Sequence, residues 1–287
     1  MNEMAISPTP EQWRALKPVE RLNFKVANHI NHSPSLRRPM ARFQATFYKW
    51  WVELGTSKIV LDHGFENFKK IDPSKGVLLV VNHRTFYDQF VIAARLFRLY
   101  GPHHNIYFPV RSEFFYDNPL GLLVNIPFTM GVMYPPIVRD VRRRHWNQYA
   151  TDLMAELLRD PRNMIGFHPE GTRNQGPDPY QLLPAKPGCG ELIYRSNPNV
   201  VPVFLQGFKS IWHMLRQNLS NSNDKKPMVH MVMGEPLDFS YELKLEASKK
   251  THLLISRKVM EVIADLSQRE REIRARYESK KLDIDLT

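Results

Sequence analysis

Two separated clusters carry the residue types that proton transfer and anion binding need. The first, Asn82-His83-Arg84-Thr85-Phe86-Tyr87-Asp88, offers an imidazole and a carboxylate; the second, His168-Pro169-Glu170-Gly171-Thr172-Arg173, offers a glycine-containing turn and a guanidinium. A histidine takes a hydroxyl proton well only if the correct ring nitrogen faces the substrate. A carboxylate bonded to the other nitrogen fixes that tautomer and stabilises the imidazolium. On a straight helix this spacing rotates the two side chains through about 500°, leaving them about 140° apart, so His83 and Asp88 meet only if a corner precedes the helix. In the second cluster Gly171 lets backbone approach a ligand, Thr172 can donate a hydrogen bond and Arg173 can grip a phosphate in two-pronged fashion. Each cluster alone has a plainer reading: a capped helix start with an incidental histidine, and a polar turn with a surface ion pair. Together they read as one site.

The elements around the clusters predict a corner of the required kind. Val77-Leu78-Leu79-Val80-Val81 is a short apolar strand running straight into the first cluster, and a helical stretch follows it to about Tyr100. Met164 to Phe167 is a second strand, ending in the second cluster. Between them the pattern predicts a strand near 105–111, an apolar segment near 118–128, a strand near 131–138 and a helix near 142–159 with Trp146, Tyr149, Leu153 and Leu157 on one face. Beyond them come a helix near 188–196, strands at 200–205 and 228–233, and a long helix from about 246 to 280. The C-terminal stripe Ile255, Val259, Val262, Ile263 and Leu266 reads as core packing. Alternating strands and helices imply an α/β fold with a mixed, mostly parallel central sheet flanked by helices, and sites at the carboxyl ends of its strands. Ahead of it an N-terminal helical pair is expected at 11–31 and 35–56, broken at Asn31-His32-Ser33-Pro34. This gives an N-terminal region of 1–59, a possible membrane-interface anchor, and a catalytic region of 60–287.

Composition narrows the class of partner. With 287 residues, 43% hydrophobic and 24% charged, the chain is an ordinary globular one. Forty basic residues against twenty-nine acidic give +11, which favours an anionic partner: nucleic acid, an anionic lipid surface or a phosphorylated substrate. No recognised nucleic-acid module is visible, so nucleic acid is not expected. The single cysteine, Cys189, makes no internal disulfide and reads as a small packing residue rather than a nucleophile. The polar start, Met1 to Pro10, does not read as a secretory leader. The longest uncharged run, Asn118 to Val138, carries Pro119, Pro127, Pro135 and Pro136 and reads as buried or dipping into an interface, not spanning a bilayer. Residues 35–56 place Phe43, Phe47, Trp50, Trp51 and Leu54 along one stripe beside Arg37, Arg38, Arg42 and Lys49, which suits an interfacial anchor about as well as a core helix. Adjacent His103 and His104 have no zinc-ligand spacing around them, and Arg142-Arg143-Arg144 reads as a solvated helix start or a phosphate contact.

His-x4-Asp followed by Pro-Glu-Gly-Thr-Arg resembles the glycerophospholipid acyltransferase family, with four blocks in order over residues 60 to 210. The resemblance implies that His83 is the general base for an acceptor hydroxyl, that Asp88 orients it, and that Glu170, Gly171, Thr172 and Arg173 contribute to acceptor binding. Arg139 is similar to the arginine ending the family's second block, Arg111 to a basic residue upstream of it, and Val200-Val201-Pro202-Val203 to the fourth block. It implies an O-acyltransferase with acyl-CoA or acyl-carrier protein as donor and a lysophospholipid acceptor, most specifically 1-acylglycerol 3-phosphate, acting without metal or organic cofactor at the cytoplasmic face of an anionic membrane. Glycerol 3-phosphate, another lysolipid or a glycolipid is the alternative acceptor. Direct attack on the thioester is expected, because no Gly-x-Ser-x-Gly elbow is present. A non-enzymatic binder of anionic membranes and a hydrolase activating water are the competing classes. The sequence departs from the family at three places: the Gly131 to Arg139 interval is longer and contains Pro135-Pro136, His168 stands where Phe is usual, and Asn174 stands where Ser is usual. The two replacements predict altered polar groups beside the anion site.

Overall fold

The computed structural model describes residues 6–43, 46–47, 49–85, 88–100, 105–118, 120, 132–208, 211–220 and 229–285. The apolar segment expected near 118–128, His103 and His104 lie largely or wholly outside them. The chain divides into two compact units, one comprising Met1–Val52, Pro73–Leu78 and Ile92–Phe167, the other Glu53–Asp72, Leu79–Val91 and His168–Thr287.

The first expected N-terminal helix is two, α1 (Pro10–Ala15) and α2 (Pro18–His32), and the described residues of the second include α3 (Pro34–Phe43) and α4 (Lys49–Thr56). Proline accounts for the breaks before α2 and α3. Pro18 and Pro34 lack the N–H a continuing helix needs but fit a first helical position, where that donor is unused. Thr9 and Gln12 close a capping box ahead of α1, at 2.8 Å and 3.2 Å, and the Lys17 N–H donates to Glu20 at 2.7 Å ahead of α2. The buried face of α2 runs Glu20, Asn23, Phe24, Ala27, Asn31, the spacing of one helical stripe.

Phe24 centres an aromatic core within the first unit. Its ring stacks on Tyr134 at 5.8 Å and meets Trp13, Trp146 and Tyr149 edge-on at 5.8, 4.8 and 6.0 Å. Two further helices follow in chain order, α5 (Asp88–Tyr100) and the short α6 (Ser112–Phe115). Trp146, Tyr149, Leu153 and Leu157 are the buried face of α7 (His145–Leu157), as their spacing predicts. The buried Glu20 carboxylate pairs with Arg143 and accepts from Ser112 at 2.6 Å, and Arg142 pairs with Asp140, so two of the three consecutive arginines hold structure. Arg37 is likewise not a surface cation: it is buried, its guanidinium 4.8 Å from the Tyr107 ring and its Nε donating to Asn105.

The six-stranded sheet has the order β1 (Val60–His63), β8 (Val229–Met233), β7 (Asn199–Gln206), β2 (Val77–Val81), β6 (Asn163–Phe167), β3 (Asn105–Tyr107). It is mixed and mostly parallel, as expected: β1 runs parallel to β8 and β3 to β6, while β7 and β8 are antiparallel. β2 and β8 are buried at every residue; β2 is a continuous apolar run, and β8 is apolar except for the buried His230. The strand expected at 131–138 shortens to β5 (Pro136–Ile137), which pairs parallel with β4 (Val110–Arg111) in a separate ladder. β1 and the helix α9 (Ile211–Ser220) are absent from the sequence reading, being short and interrupted by polar residues.

In the second unit the long helix α10 (Lys249–Asp285) packs on α8 (Pro187–Ser196). Gly190 makes that contact possible: a Cβ there would sit 1.8 Å from the His252 carbonyl oxygen, and its N–H donates to Ser256 Oγ at 2.8 Å. Neighbouring Cys189 is fully buried and its thiol is pushed up by burial, which suits packing and not nucleophilic chemistry. Ile255, Val259, Ile263 and Leu266 are buried as the stripe predicts. Among the described residues no helix is long and apolar enough to cross a membrane.

Candidate active site

Both clusters leave the carboxyl ends of strands, the first after β2 and the second after β6. Asn82 makes the first corner. Fully buried, it accepts from Leu205 N–H and donates to Leu205 C=O, both at 2.9 Å, so its amide imitates a strand neighbour of β7 where β2 has ended. The corner then carries His83 ahead of α5, which removes the rotational objection to the dyad.

Asp88 is fully buried and turns back along the chain. Its Oδ2 accepts from the Arg84 N–H at 2.9 Å and the Thr85 N–H at 2.8 Å, its Oδ1 accepts from the Thr85 hydroxyl, and His83 Nδ1 lies 3.4 Å from Oδ2. These bonds fold the chain ahead of the helix back onto the carboxylate that also faces the imidazole. Burial raises its pKa, opposed by His168 and by the Thr85 and Arg84 bonds to the ionised form.

The second cluster grips the backbone of the first. Glu170, almost wholly buried, accepts from His83 N–H with one oxygen and from Leu183 N–H with the other, each at 2.8 Å, and Asn174 N–H donates to the His83 carbonyl at 2.8 Å. His83 is thus held through both its main-chain groups. Glu170 braces the histidine where the family resemblance implied acceptor binding. Burial raises its pKa, while the Leu183 and His83 N–H groups oppose the rise. Gly171 has φ of 68°, the left-handed region, and its N–H closes a turn on His168 C=O at 3.0 Å. Arg173 is half-buried and among the described residues has no hydrogen-bond or ion-pair partner, which leaves its guanidinium available to an anion.

The two departures from the family pattern act on the protein itself. Asn174 is buried and turned into its own loop, accepting from Gly176 N–H at 2.8 Å and donating to the Gln181 carbonyl. It does not present a polar group to an anion. Arg84 fixes the same loop through the Gly176 and Asp178 carbonyls, at 3.0 and 3.3 Å. His168 lies flat against His83, ring centroids 3.7 Å apart and planes 9° from parallel.

His83, Asp88, Glu170, Gly171, Thr172 and Arg173 therefore all lie in the second unit. Arg111 and Arg139 lie in the first, where the parallel pairing of Arg111 with Ile137 brings them to the same end of the β4–β5 ladder; the Arg111 guanidinium rests 5.9 Å from the Phe114 ring. Asn82 and Arg84 are the site residues that sequence reasoning left without a role, and His168, expected beside the anion, stacks on His83 instead. The only local signal for Asn82 is its place between an apolar strand and the histidine. Among the described residues no group of three or more His, Cys, Asp or Glu side chains is arranged to hold a metal ion.

A protein-family model described as Acyltransferase matches residues 60–206. Among solved structures, the 1-acyl-sn-glycerophosphate (LPA) acyltransferase PlsC from Thermotoga maritima is similar at 16% identity and a TM-score of 0.49, over 91% of this chain and 98% of that chain. No curated protein matches. Because the family model spans just over half of the chain and contains both clusters, from the strand before the corner to the strand that Asn82 grips, the chain belongs to the Acyltransferase family.

Proposed function

We propose that the protein transfers a fatty acyl group from acyl-CoA or acyl-carrier protein to the free hydroxyl of a lysophospholipid, with 1-acylglycerol 3-phosphate as the acceptor. The observation that carries this reading is the His83–Asp88 pair on a corner fixed by Asn82, Glu170 and Asn174. With Nδ1–H directed at Asp88, the Nε2 lone pair is left for the acceptor hydroxyl; a 3.4 Å contact is of the looseness found before substrate draws such a pair together. As the hydroxyl oxygen attacks the thioester carbonyl, its proton passes to Nε2, and Asp88 stabilises the imidazolium without taking the proton. The tetrahedral intermediate then expels the thiolate, which receives the proton from His83, and the ester is left on the acceptor. Arg173 holds the acceptor phosphate, so binding energy remote from the reacting bond places the hydroxyl.

The acceptor is an amphiphile, and we propose peripheral attachment to a membrane surface for the same protein. Phe43, Phe47, Trp50, Trp51 and Leu54 are each 38–56% exposed, Phe43 and Phe47 rings lie 4.9 Å apart, and Arg38 and Arg42 are exposed beside them. Exposure on this scale favours the anchor over the core reading. Flotation with anionic liposomes should be lost in a Trp50→Ala/Trp51→Ala variant and weakened by salt. Binding indifferent to both would remove the anchor.

The test of the reaction is a mass-spectrometric screen of purified protein with acyl-CoA, acyl-carrier protein and a panel of lysolipids plus glycerol 3-phosphate. The expected product is phosphatidate from 1-acylglycerol 3-phosphate. Free fatty acid formed at the same rate without any acceptor would mean that the base activates water instead.

A further inference from the structure

Asp88 does not by itself fix the plane of His83. Its Oδ2 is shared with two backbone N–H groups at 2.9 and 2.8 Å, and the imidazole, at 3.4 Å, is the longest of the three contacts. A bond of that length on a broad ring torsion constrains the plane of the imidazole only loosely. The neighbouring ring supplies what is missing. His168 Nδ1 donates to the Val81 carbonyl at 2.9 Å, which ties its ring to the end of β2, and the ring so held lies 3.7 Å from His83 and 9° from parallel. With the proton on Nδ1, Nε2 is a bare acceptor, and it is buried without a hydrogen-bond partner among the described residues. Burial, and then the charge His83 would carry, holds the His168 pKa down at about 3. The ring against the base is therefore neutral whenever the base works.

We propose that His168 is a positioning residue: anchored on Val81, its face sets the plane of His83, keeps Nδ1 directed at Asp88 and Nε2 at the acceptor hydroxyl, and meets the imidazolium with a neutral π surface. This rests on the acyl-transfer reading given above. A protonated histidine in this place would repel the imidazolium, whereas a neutral aromatic face stabilises it. Among the described residues the charged groups around His83 include Asp88, Glu170 at its backbone N–H, and Arg84, whose guanidinium is turned away to Gly176 and Asp178. The orphaned Nε2 is consistent with a ring kept for its face and not for its second nitrogen.

The experiment compares His168→Phe, which keeps a flat face, with His168→Leu, which fills the space without one, in the full chain. Steady-state kinetics should show kcat down about tenfold or more in the Leu variant with both KM values little changed, and within about threefold of wild type in the Phe variant. The acidic limb of the kcat profile should move to lower pH in the Leu variant, because the imidazolium has lost a stabilising neighbour, and should be restored by Phe. A second readout is independent of activity: nitrogen-15 spectra of the histidine rings, with His83→Ala for assignment, should show the Nδ1–H form of His83 dominant in wild type and in the Phe variant, and mixed tautomers in the Leu variant. Thermal melts confirm that each variant is folded. Equal tautomer populations in folded Leu and Phe variants would overturn the proposal, as would a Phe variant as impaired as Leu. If wild type transfers no acyl group to any acceptor, the reaction reading fails while the ring spectra still decide the role of His168.

Discussion

Among the described residues the second unit contains two histidine pairs, and only one of them sets a carboxylate against a ring nitrogen. His83 and His168 meet face to face at 3.7 Å, each with a different outside partner: Asp88 for the one, the Val81 carbonyl for the other. His63 and His230 meet edge to edge, Nε2 to Nδ1 at 3.2 Å with centroids 5.4 Å apart, where parallel β1 and β8 carry them on one face of the sheet. That bond ties each ring to the other and brings no carboxylate to either of the bonded nitrogens. Tyr277 covers His230 edge-on at 5.9 Å, and burial, with Arg274 and His63, pushes its pKa down to about 4. Histidine count and burial do not distinguish the pairs. The difference lies in which atom faces the ring nitrogen, a carboxylate able to stabilise a cation or another imidazole that cannot.

The largest effect expected from this contrast is on turnover. His83→Ala should lower kcat by about 10²-fold or more, and Asp88→Asn, which keeps the shape and loses the orienting charge, should be comparably severe in a protein that stays folded. His230→Gln, which retains a polar partner for His63, should leave kcat within about twofold. Near-normal turnover in either dyad variant, measured with 1-acylglycerol 3-phosphate and acyl-CoA, would remove the distinction between the pairs.

Acid should expose what the pairs have in common. His168 at about 3 and His230 at about 4 both lie below the usual histidine value of 6.5, so between those limits the unfolded chain binds protons that the folded chain refuses. Stability is then complete above about pH 6.5 and falls as pH drops, with the His230 part of the loss ending near pH 4. For the almost fully buried His230 the slope is about 1.4 kcal/mol per pH unit within that window. Urea midpoints at pH 7.5, 5.5 and 4.5 should fall in wild type and fall less steeply in His230→Gln. Parallel slopes would show that His230 is not held neutral by the fold.

What the sequence disclosed of this arrangement follows the range of the interactions. The strand into the first cluster, the corner and the pairing of His83 with Asp88 depend on neighbours in the chain, and they were legible. The long helix and its buried stripe were legible for the same reason, since periodicity is local. Asn82 was not, because its partner Leu205 is far along the chain and an asparagine before a helix reads equally as a cap. Arg37 read as a surface cation because nothing near it in sequence announces Tyr107 and Asn105. The helix expected at 11–31 ran too long because apolar spacing continues across Pro18. His168 was visible as a departure from a pattern, but its stacking on His83 required the two strand ends to be placed.

The smallest predicted effect concerns the arginines that accompany the two pairs. Arg274, whose charge lowers the His230 pKa, is built into the fold: it pairs with the buried Glu270, its Nε at 2.9 Å from that carboxylate, and donates to Gln206 Oε1 at 2.7 Å. Glu270 in turn accepts from the Tyr180 hydroxyl at 2.6 Å, so the guanidinium belongs to a buried network. Arg173, one residue from the Asn174 that holds His83, has no such partner among the described residues. On the proposed reading the open arginine binds the acceptor anion, whereas one closed by a carboxylate holds a fold. Arg173→Lys keeps the charge and loses the planar fork, so the acceptor KM should rise about tenfold with a smaller change in the donor KM. Arg274→Lys should instead lower the unfolding midpoint and leave both KM values alone. If Arg173→Lys changes only the donor KM, or if wild type acylates monoacylglycerol as readily as 1-acylglycerol 3-phosphate, Arg173 does not hold the acceptor phosphate and the contrast between the two arginines reduces to one of burial.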